Sequence, residues 1–227
     1  MSHHKTSIAV ANCHVFLDFD NTLTVSDVLD DIIKKFSIND SWKGLEKAWV
    51  NETIGTKECL EGQLKGVRVS KKGLDAYLAN VTLDSHCYKL FAFLNKEGIR
   101  PVILSDNFTP IIEAILAHQG IKDVKVYANS LRFYRDRLIP SFPYDNPFCP
   151  SCAHCKKIHL TRDKMEDKLI VYVGDGRSDF CPASVSDIVF AKDSLLQHLK
   201  KTGTPCVPYK NLGDVYQTFK ETVEREK

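Results

Sequence analysis

Long apolar runs are missing from this 227-residue chain: none approaches the roughly eighteen residues of a membrane-spanning helix, so no membrane partner is expected. Clustered positive charge is missing too. The 31 Lys and Arg set against 29 Asp and Glu leave a net charge of +2 with no basic run, so no nucleic-acid partner is expected. The opening MSHHKTSIAVANCHVFLDFD lacks a long apolar stretch followed by a small-residue cleavage site, so no export signal is expected. No GxxxxGK followed by Ser or Thr is present, which excludes a P-loop enzyme. GDGRSD (174–179) lacks the third glycine and the first βα-turn position of a dinucleotide fingerprint. There is no internal repeat and no low-complexity tract. Eight cysteines without an export signal predict reduced thiols in a cytoplasmic protein, a monomer or homodimer.

What is present is an alternation of short apolar runs with amphipathic stretches. HVFLDF (14–19), PVILS (101–105), KVYAN (125–129), LIVYV (169–173) and DIVFA (187–191) read as buried strands of a parallel sheet. TPIIEAILAHQ (109–119) and SLLQHLKKTG (194–203) have helical period and stop at glycines, and LGDVYQTFKETVEREK (212–227) makes a terminal helix. The pattern predicts an α/β fold, a doubly wound, mostly parallel, Rossmann-like sheet. About 80 helical residues separate the first two strands, more than a crossover needs. We therefore expect a helical cap domain over 27–82, inserted after the first strand of an α/β core domain formed by 1–26 and 83–227. LRFYRDRLIPSF (131–142) has the look of a hairpin. Trp42 and Trp49, seven apart, read as a stripe packing the cap. His86, His118, His159 and His198 read as helix-surface residues, and His3 and His4 as part of a mobile terminus.

Ligands of open α/β sheets bind outside the carboxyl ends of the strands. Those ends carry Asp18-Phe19-Asp20-Asn21-Thr22, Ser105-Asp106-Asn107 and Gly174-Asp175-Gly176-Arg177-Ser178-Asp179. Converging carboxylates repel unless a cation sits among them, and oxygen ligands with open positions suit Mg²⁺ together with a substrate phosphate. A carboxylate can also serve as the nucleophile in aspartyl-phosphate formation. A phosphate dianion beside Asp18 and Asp175 totals about −4; Mg²⁺ and one lysine bring this to about −1.

VFLDFDNTLT, VILSDN, a later lysine and VYVGDGRSD resemble, in order and spacing, the four signature segments of the haloacid dehalogenase-like phosphatases. The helical insert directly after the first segment resembles the cap of the phosphoserine-phosphatase-like branch. Within that branch SWKGLEKAWVNETIGTKECL and the tail IVFAKDSLLQHL…PYKNL look most similar to methionine-salvage phosphatases acting on a hydroxy-keto-methylthiopentenyl phosphate. SDN, CKK and VYVGDGRSDFCP also resemble phosphoethanolamine/phosphocholine phosphatases. The resemblance implies a Mg²⁺-dependent phosphatase acting on a small phosphorylated metabolite, with Asp18 as nucleophile and Asp20 protonating the leaving alcohol and then activating water. Asp18, the carbonyl of Asp20, and Asp175 would hold the metal, with Asp179 orienting a ligand from behind them. Ser105, Asp106 and Asn107 would bind phosphate through a hydroxyl and backbone N–H groups. Lys156 would bridge Asp18 and phosphate, in preference to Lys157, because this register puts Leu160 at the branch's usual leucine. A phosphotransferase to another alcohol would use the same residues.

The lysine closes CPSCAHCKK (149–157), where Cys149, Cys152 and Cys155 have the short spacing of a structural Zn²⁺ site. A closed site needs four ligands, and His154 adjoins Cys155 awkwardly; Cys181 is the alternative. Reduced thiols packed in a loop are the expected reading, as are buried small apolar roles for Cys13, Cys59, Cys87 and Cys206. Asp27, nine residues after Asp18, matches a substrate-binding acid of the phosphoserine phosphatases, with helix capping as the alternative for it and for Asp106. Acids near the phosphate disfavour a second anion unless Arg68 or Lys57 offsets them. A neutral, polar or amine-bearing leaving group is therefore expected.

Overall fold

The computed structural model describes residues 13–149, 151–163 and 168–226, so His3 and His4 lie outside the described residues. Seven strands form one sheet in the order β4-β3-β2-β1-β5-β6-β7, and the residues divide into two compact units. The doubly wound, mostly parallel α/β architecture expected from the alternating pattern is the one found.

The first unit contains the chain up to Asp18, then 83–103, and Lys156 onward. Its centre is β1 (Cys13–Leu17), flanked in parallel by the start of β2 (Val102–Phe108) and by β5 (Leu169–Gly174). Parallel pairing continues through β6 (Ile188–Ala191) to β7 (Val207–Pro208). Val15, Phe16 and Leu17 of β1 and Ile170 to Val173 of β5 are all buried. Near-continuous apolar strands of this kind belong to sheets covered on both faces. The helices of this unit are α5 (Cys87–Lys96), α7 (Lys156–Asp163), α8 (Phe180–Ala183), α9 (Asp193–Thr202) and α10 (Leu212–Glu226). Gly203 ends α9 in the left-handed conformation (φ 69°), and its N–H reaches the carbonyls of Leu199 and Lys200. Phe219 of α10 stacks on Phe190 of β6, and Tyr216 meets Phe93 of α5 edge-on.

The second unit contains 19–82 and 104–155. Four short helices come first: α1 (Val28–Phe36), α2 (Ser41–Val50), α3 (Thr56–Leu64) and α4 (Lys71–Leu78). Asp27 caps α1 by accepting the Asp30 N–H at 2.9 Å, and Ser70 caps α4 through Gly73 at 3.0 Å. α6 (Thr109–His118) follows β2, and β3 (Lys125–Tyr134) pairs antiparallel with β4 (Arg137–Ser141). The hairpin is thus real, and KVYAN is its first arm continued. Its tip is bound to the helical segment, because the Val69 N–H donates to the Asp136 carbonyl.

Three expectations need correction. Trp42 and Trp49 are only partly buried, because α2 is an outer helix with no fully buried residue. It packs on α3 instead through Leu45, which occupies the space a side chain at Gly62 would take, while the Trp49 indole donates to Thr56 Oγ1 at 3.0 Å. His159 is buried, not on the helix surface. The strand read as ending at Ser105 runs on to Phe108, so Ser105, Asp106 and Asn107 lie within β2.

Candidate active site

In the first unit, β1 delivers Asp18 one residue past its end, fixed by the Asp18 N–H donating to the Val173 carbonyl at 2.9 Å. β5 likewise delivers Asp175, and a short 3-10 turn over Arg177–Asp179 turns Asp179 back towards it. Carboxylate oxygens of Asp18, Asp175 and Asp179 lie within 4.8 Å of one another, all three residues buried. α7 begins at Lys156, whose side chain is wholly buried. Its ammonium donates to Asp18 Oδ1 at 2.6 Å, Asp179 Oδ1 at 2.8 Å and Ser178 Oγ at 3.0 Å. Lys157 is exposed.

Asp179 is the most heavily bonded member. Oδ1 also accepts the Tyr172 hydroxyl at 2.6 Å, while Oδ2 accepts the backbone N–H groups of Asp175 (2.9 Å) and Gly176 (3.1 Å). Burial, then the Asp179 carboxylate, hold the Tyr172 phenol well above its ordinary pKa, so it remains a donor. Burial raises the Asp18 pKa well above the usual carboxylate value. The Asp179 charge adds to the rise, Lys156 opposes it and Asp175 contributes further. One ammonium is too little positive charge for three carboxylates, and the donors are all oxygen. Such a set fits a hard divalent cation.

In the second unit, the chain after Asp18 turns sharply. Leu23 and Thr24 return N–H bonds to the Phe19 carbonyl, and Asn21 takes a positive φ of 54°, which Asn tolerates better than most residues. The Thr24 hydroxyl, overlooked in the sequence reading, closes this turn by donating towards the Ser26 carbonyl at 2.7 Å and accepting the Asn21 N–H at 3.2 Å. Asp20 is held by the Val28 N–H at the start of α1 (2.9 Å to Oδ1) and by Asn107 Nδ2, 3.2 and 3.0 Å from its two oxygens. Ser105 is buried, and its Oγ accepts the Asn107 N–H at 3.0 Å. Asp106 does not cap α6; its Oδ1 accepts the backbone N–H of His154 at 2.9 Å. The Asp27 carboxylate caps α1.

A family model described as Putative Phosphatase matches residues 13–199. The chain belongs to that family. Among relatives, the bifunctional enzyme MtnB/MtnX of Bacillus licheniformis is 27% identical over 92% of this chain. The chain spans 50% of that relative's length. The 2-hydroxy-3-keto-5-methylthiopentenyl-1-phosphate phosphatase of Brevibacillus brevis is 24% identical over 91% of this chain and 95% of its own. A solved structure, the phospho-aspartyl intermediate analogue of phosphoserine phosphatase, shares the fold. Its TM-score is 0.69 at 16% identity, covering 91% of this chain and 98% of that one. The chain is thus a phosphatase-family member, and the motifs in which it resembles the haloacid dehalogenase-like phosphatases lie within the matched residues.

The cysteine-rich loop of this phosphatase acts as a brace. His154 is buried, its ring stacks on Tyr144 at 4.7 Å, and its Nδ1 lies 2.9 Å from the Ser105 carbonyl. A carbonyl only accepts, so that nitrogen carries the proton. The Ser151 carbonyl, between Cys149 and Cys152, accepts both the N–H and the hydroxyl of Thr56. Cys149 and Cys152 have sulfurs 3.4 Å apart, whereas buried Cys155 accepts a long contact from Asn146. Burial pushes the Cys59 thiol up to about 11 and Cys87 to about 12, so neither reacts readily at neutral pH.

Gly174 is fixed by this arrangement, since any Cβ there would collide with the Asp179 carboxylate and the Tyr172 ring. Gly174→Ala should cost about 1–3 kcal/mol of stability by overpacking and should lower turnover further by displacing Asp179 from Lys156. Urea denaturation and kcat measure the two effects; wild-type values for both would show that the loop yields without cost.

Proposed function

We propose that this phosphatase hydrolyses a small phosphomonoester in two Mg²⁺-dependent steps through a phosphorylated Asp18. The observation that carries the reading is the buried Lys156 ammonium held between Asp18 and Asp179, with Asp175 in the same cluster. Asp18 is the nucleophile: one oxygen forms a bond to phosphorus as the ester P–O bond breaks. Asp20 gives its proton to the departing alkoxide, then takes a proton from the water that attacks phosphorus, which frees Asp18 and inorganic phosphate. Lys156 holds Asp18 and a phosphate oxygen in line. The Ser105 hydroxyl, its lone pair occupied by the Asn107 N–H, keeps its proton for a phosphate oxygen. Asp18, the Asp20 carbonyl and Asp175 would hold Mg²⁺, with Asp179 bracing them. When bound, the ion supplies positive charge that lets Asp18 act ionised and steadies charge on the transferring phosphoryl group.

Residues 27–82, helical throughout α1 to α4, serve as the cap that recognises the leaving group and excludes water. The two basic residues that could offset a second anion are engaged elsewhere. Lys57 pairs with Asp145 at 2.5 Å, and Arg68 donates to the Lys65 and Val67 carbonyls. This supports a leaving group that is neutral, polar or amine-bearing. Likeness to the Brevibacillus enzyme favours a 2-hydroxy-3-keto-5-methylthiopentenyl-type phosphate. Phosphoethanolamine and phosphoserine follow. Transfer to an acceptor alcohol instead of water would use the same residues, and product analysis with and without such an alcohol separates the two.

Asp18→Asn should fold normally and lose about 10⁴-fold or more of its activity. Lys156→Ala should lose about 10²- to 10³-fold, with Lys157→Ala near wild type. Steady-state phosphate release with Mg²⁺ checks all three; metal-dependent turnover by Asp18→Asn would eliminate the covalent route.

Phosphate release from a panel of small phosphomonoesters at equal concentration should favour neutral and amine-bearing leaving groups. Preference for phosphoproteins or nucleotides would overturn the cap reading.

An unfolded Asp18 loses its proton near pH 4, whereas the folded, metal-free group retains it to higher pH. The folded state then binds the extra proton, so stability falls as pH rises through the window above about pH 4. Mg²⁺ should therefore raise the melting temperature more at pH 8 than at pH 5. Thermal melts with and without MgCl₂ measure this; an equal shift at both pH values would contradict it.

A further inference from the structure

Asn107 sits within β2, almost fully buried, and its backbone N–H and both ends of its side-chain amide have defined partners. Its backbone N–H donates to Ser105 Oγ at 3.0 Å. Its side-chain Oδ1 accepts the Phe108 N–H at 2.7 Å. That second bond fixes the amide: an N–H can bond only the oxygen end, so the NH₂ end must face the opposite way. There it meets Asp20, with Nδ2 3.2 Å from Oδ1 and 3.0 Å from Oδ2. Oδ1 of Asp20 already takes the Val28 N–H at 2.9 Å. The carboxyl is therefore held by donors on two different elements, the start of α1 and β2.

From this geometry we infer that Asn107 is the positioning residue for proton transfer by Asp20, and that it does not bind phosphate through its side chain or its own N–H. The inference rests on the reading of Asp20 as acid and base. The fixed amide donor holds the Asp20 carboxyl in place to give its proton to the leaving alcohol and later to take one from water. It also stops the carboxyl group rotating between productive and idle orientations. Proton transfer depends on such alignment, since the donor oxygen must lie within hydrogen-bond reach of the atom it serves.

The distinguishing readout is dependence on the leaving group. An alkyl phosphate needs its alkoxide protonated, whereas p-nitrophenolate departs without help. With Asn107→Ala, single-turnover cleavage of an alkyl phosphate such as phosphoethanolamine should slow about 10- to 100-fold. The p-nitrophenol burst from p-nitrophenyl phosphate should stay near the wild-type rate, and inhibition by inorganic phosphate should be unchanged. Asn107→Asp keeps the size and the acceptor for the Phe108 N–H while replacing the donor with a second acceptor. It should show the same split if Asn107→Ala melts prematurely. Asp20→Asn, run in parallel, should give the larger version of the same pattern. Equal slowing of both esters together with weakened phosphate inhibition would overturn the inference and return Asn107 to phosphate binding. If Asp20→Asn itself slowed both esters equally, the acid/base reading of Asp20 would fail, and the inference with it. If Asp20→Asn split the esters and Asn107→Ala did not, only the role of Asn107 would fail.

Discussion

A lysine ammonium with no exposure to water governs the organisation of the first unit. Burying a charge costs several kcal/mol unless it is paired, and removing one partner of a buried pair typically costs about 3–5 kcal/mol. Lys156 meets that cost with Asp18 and Asp179 together, so the end of β1, the turn after β5 and the first residue of α7 have to agree in position. The agreement extends one layer out. Asp179 is held by Tyr172 and two backbone N–H groups, and it fits only because position 174 lacks a side chain. Gly174, Tyr172, Lys156 and Asp179 express one constraint.

Asp18 and Asp20 are separated by a single residue yet have opposite company. Asp18 is buried beside two carboxylates and one ammonium, an environment that raises its pKa until further positive charge arrives. Asp20 is partly exposed and surrounded by N–H donors, one from a helix start and one from an amide. Division of labour between paired carboxylates arises in this way, from surroundings rather than residue type.

Much of this was legible in the residues themselves. Apolar runs long enough for only one strand each announced the sheet, and acids directly after two of them include Asp18, Asp175 and Asp179, which converge. The choice of Lys156 over Lys157, implied by resemblance, agrees with the buried and exposed placements of the two side chains. What could not be read was pairing at a distance. Asn107 and Asp20 are 87 residues apart, and His154 and Ser105 are 49 apart. Nothing in local periodicity encodes either contact. Asp106 looked like a helix cap because Asp before a helix usually is one, but a backbone N–H from the cysteine-rich loop claims it. Trp42 and Trp49 misled for a related reason: seven-residue spacing gives the face of a helix, not what covers that face.

The bonds from Thr56 to the Ser151 carbonyl make the start of α3 and the loop 142–155 a single transplantable piece. Lys57 with Asp145 adds a second stitch between the same two stretches, and Val69 ties the segment before α4 to the hairpin tip. Segments that look separable along the chain are therefore not separable as parts. Exchange of α1 to α4 between relatives, whether by recombination or by design, would sever these attachments and the Asp75–His118 pair unless residues 104–155 travelled too. A change at the start of α3 would therefore call for a matching change in the loop that holds it.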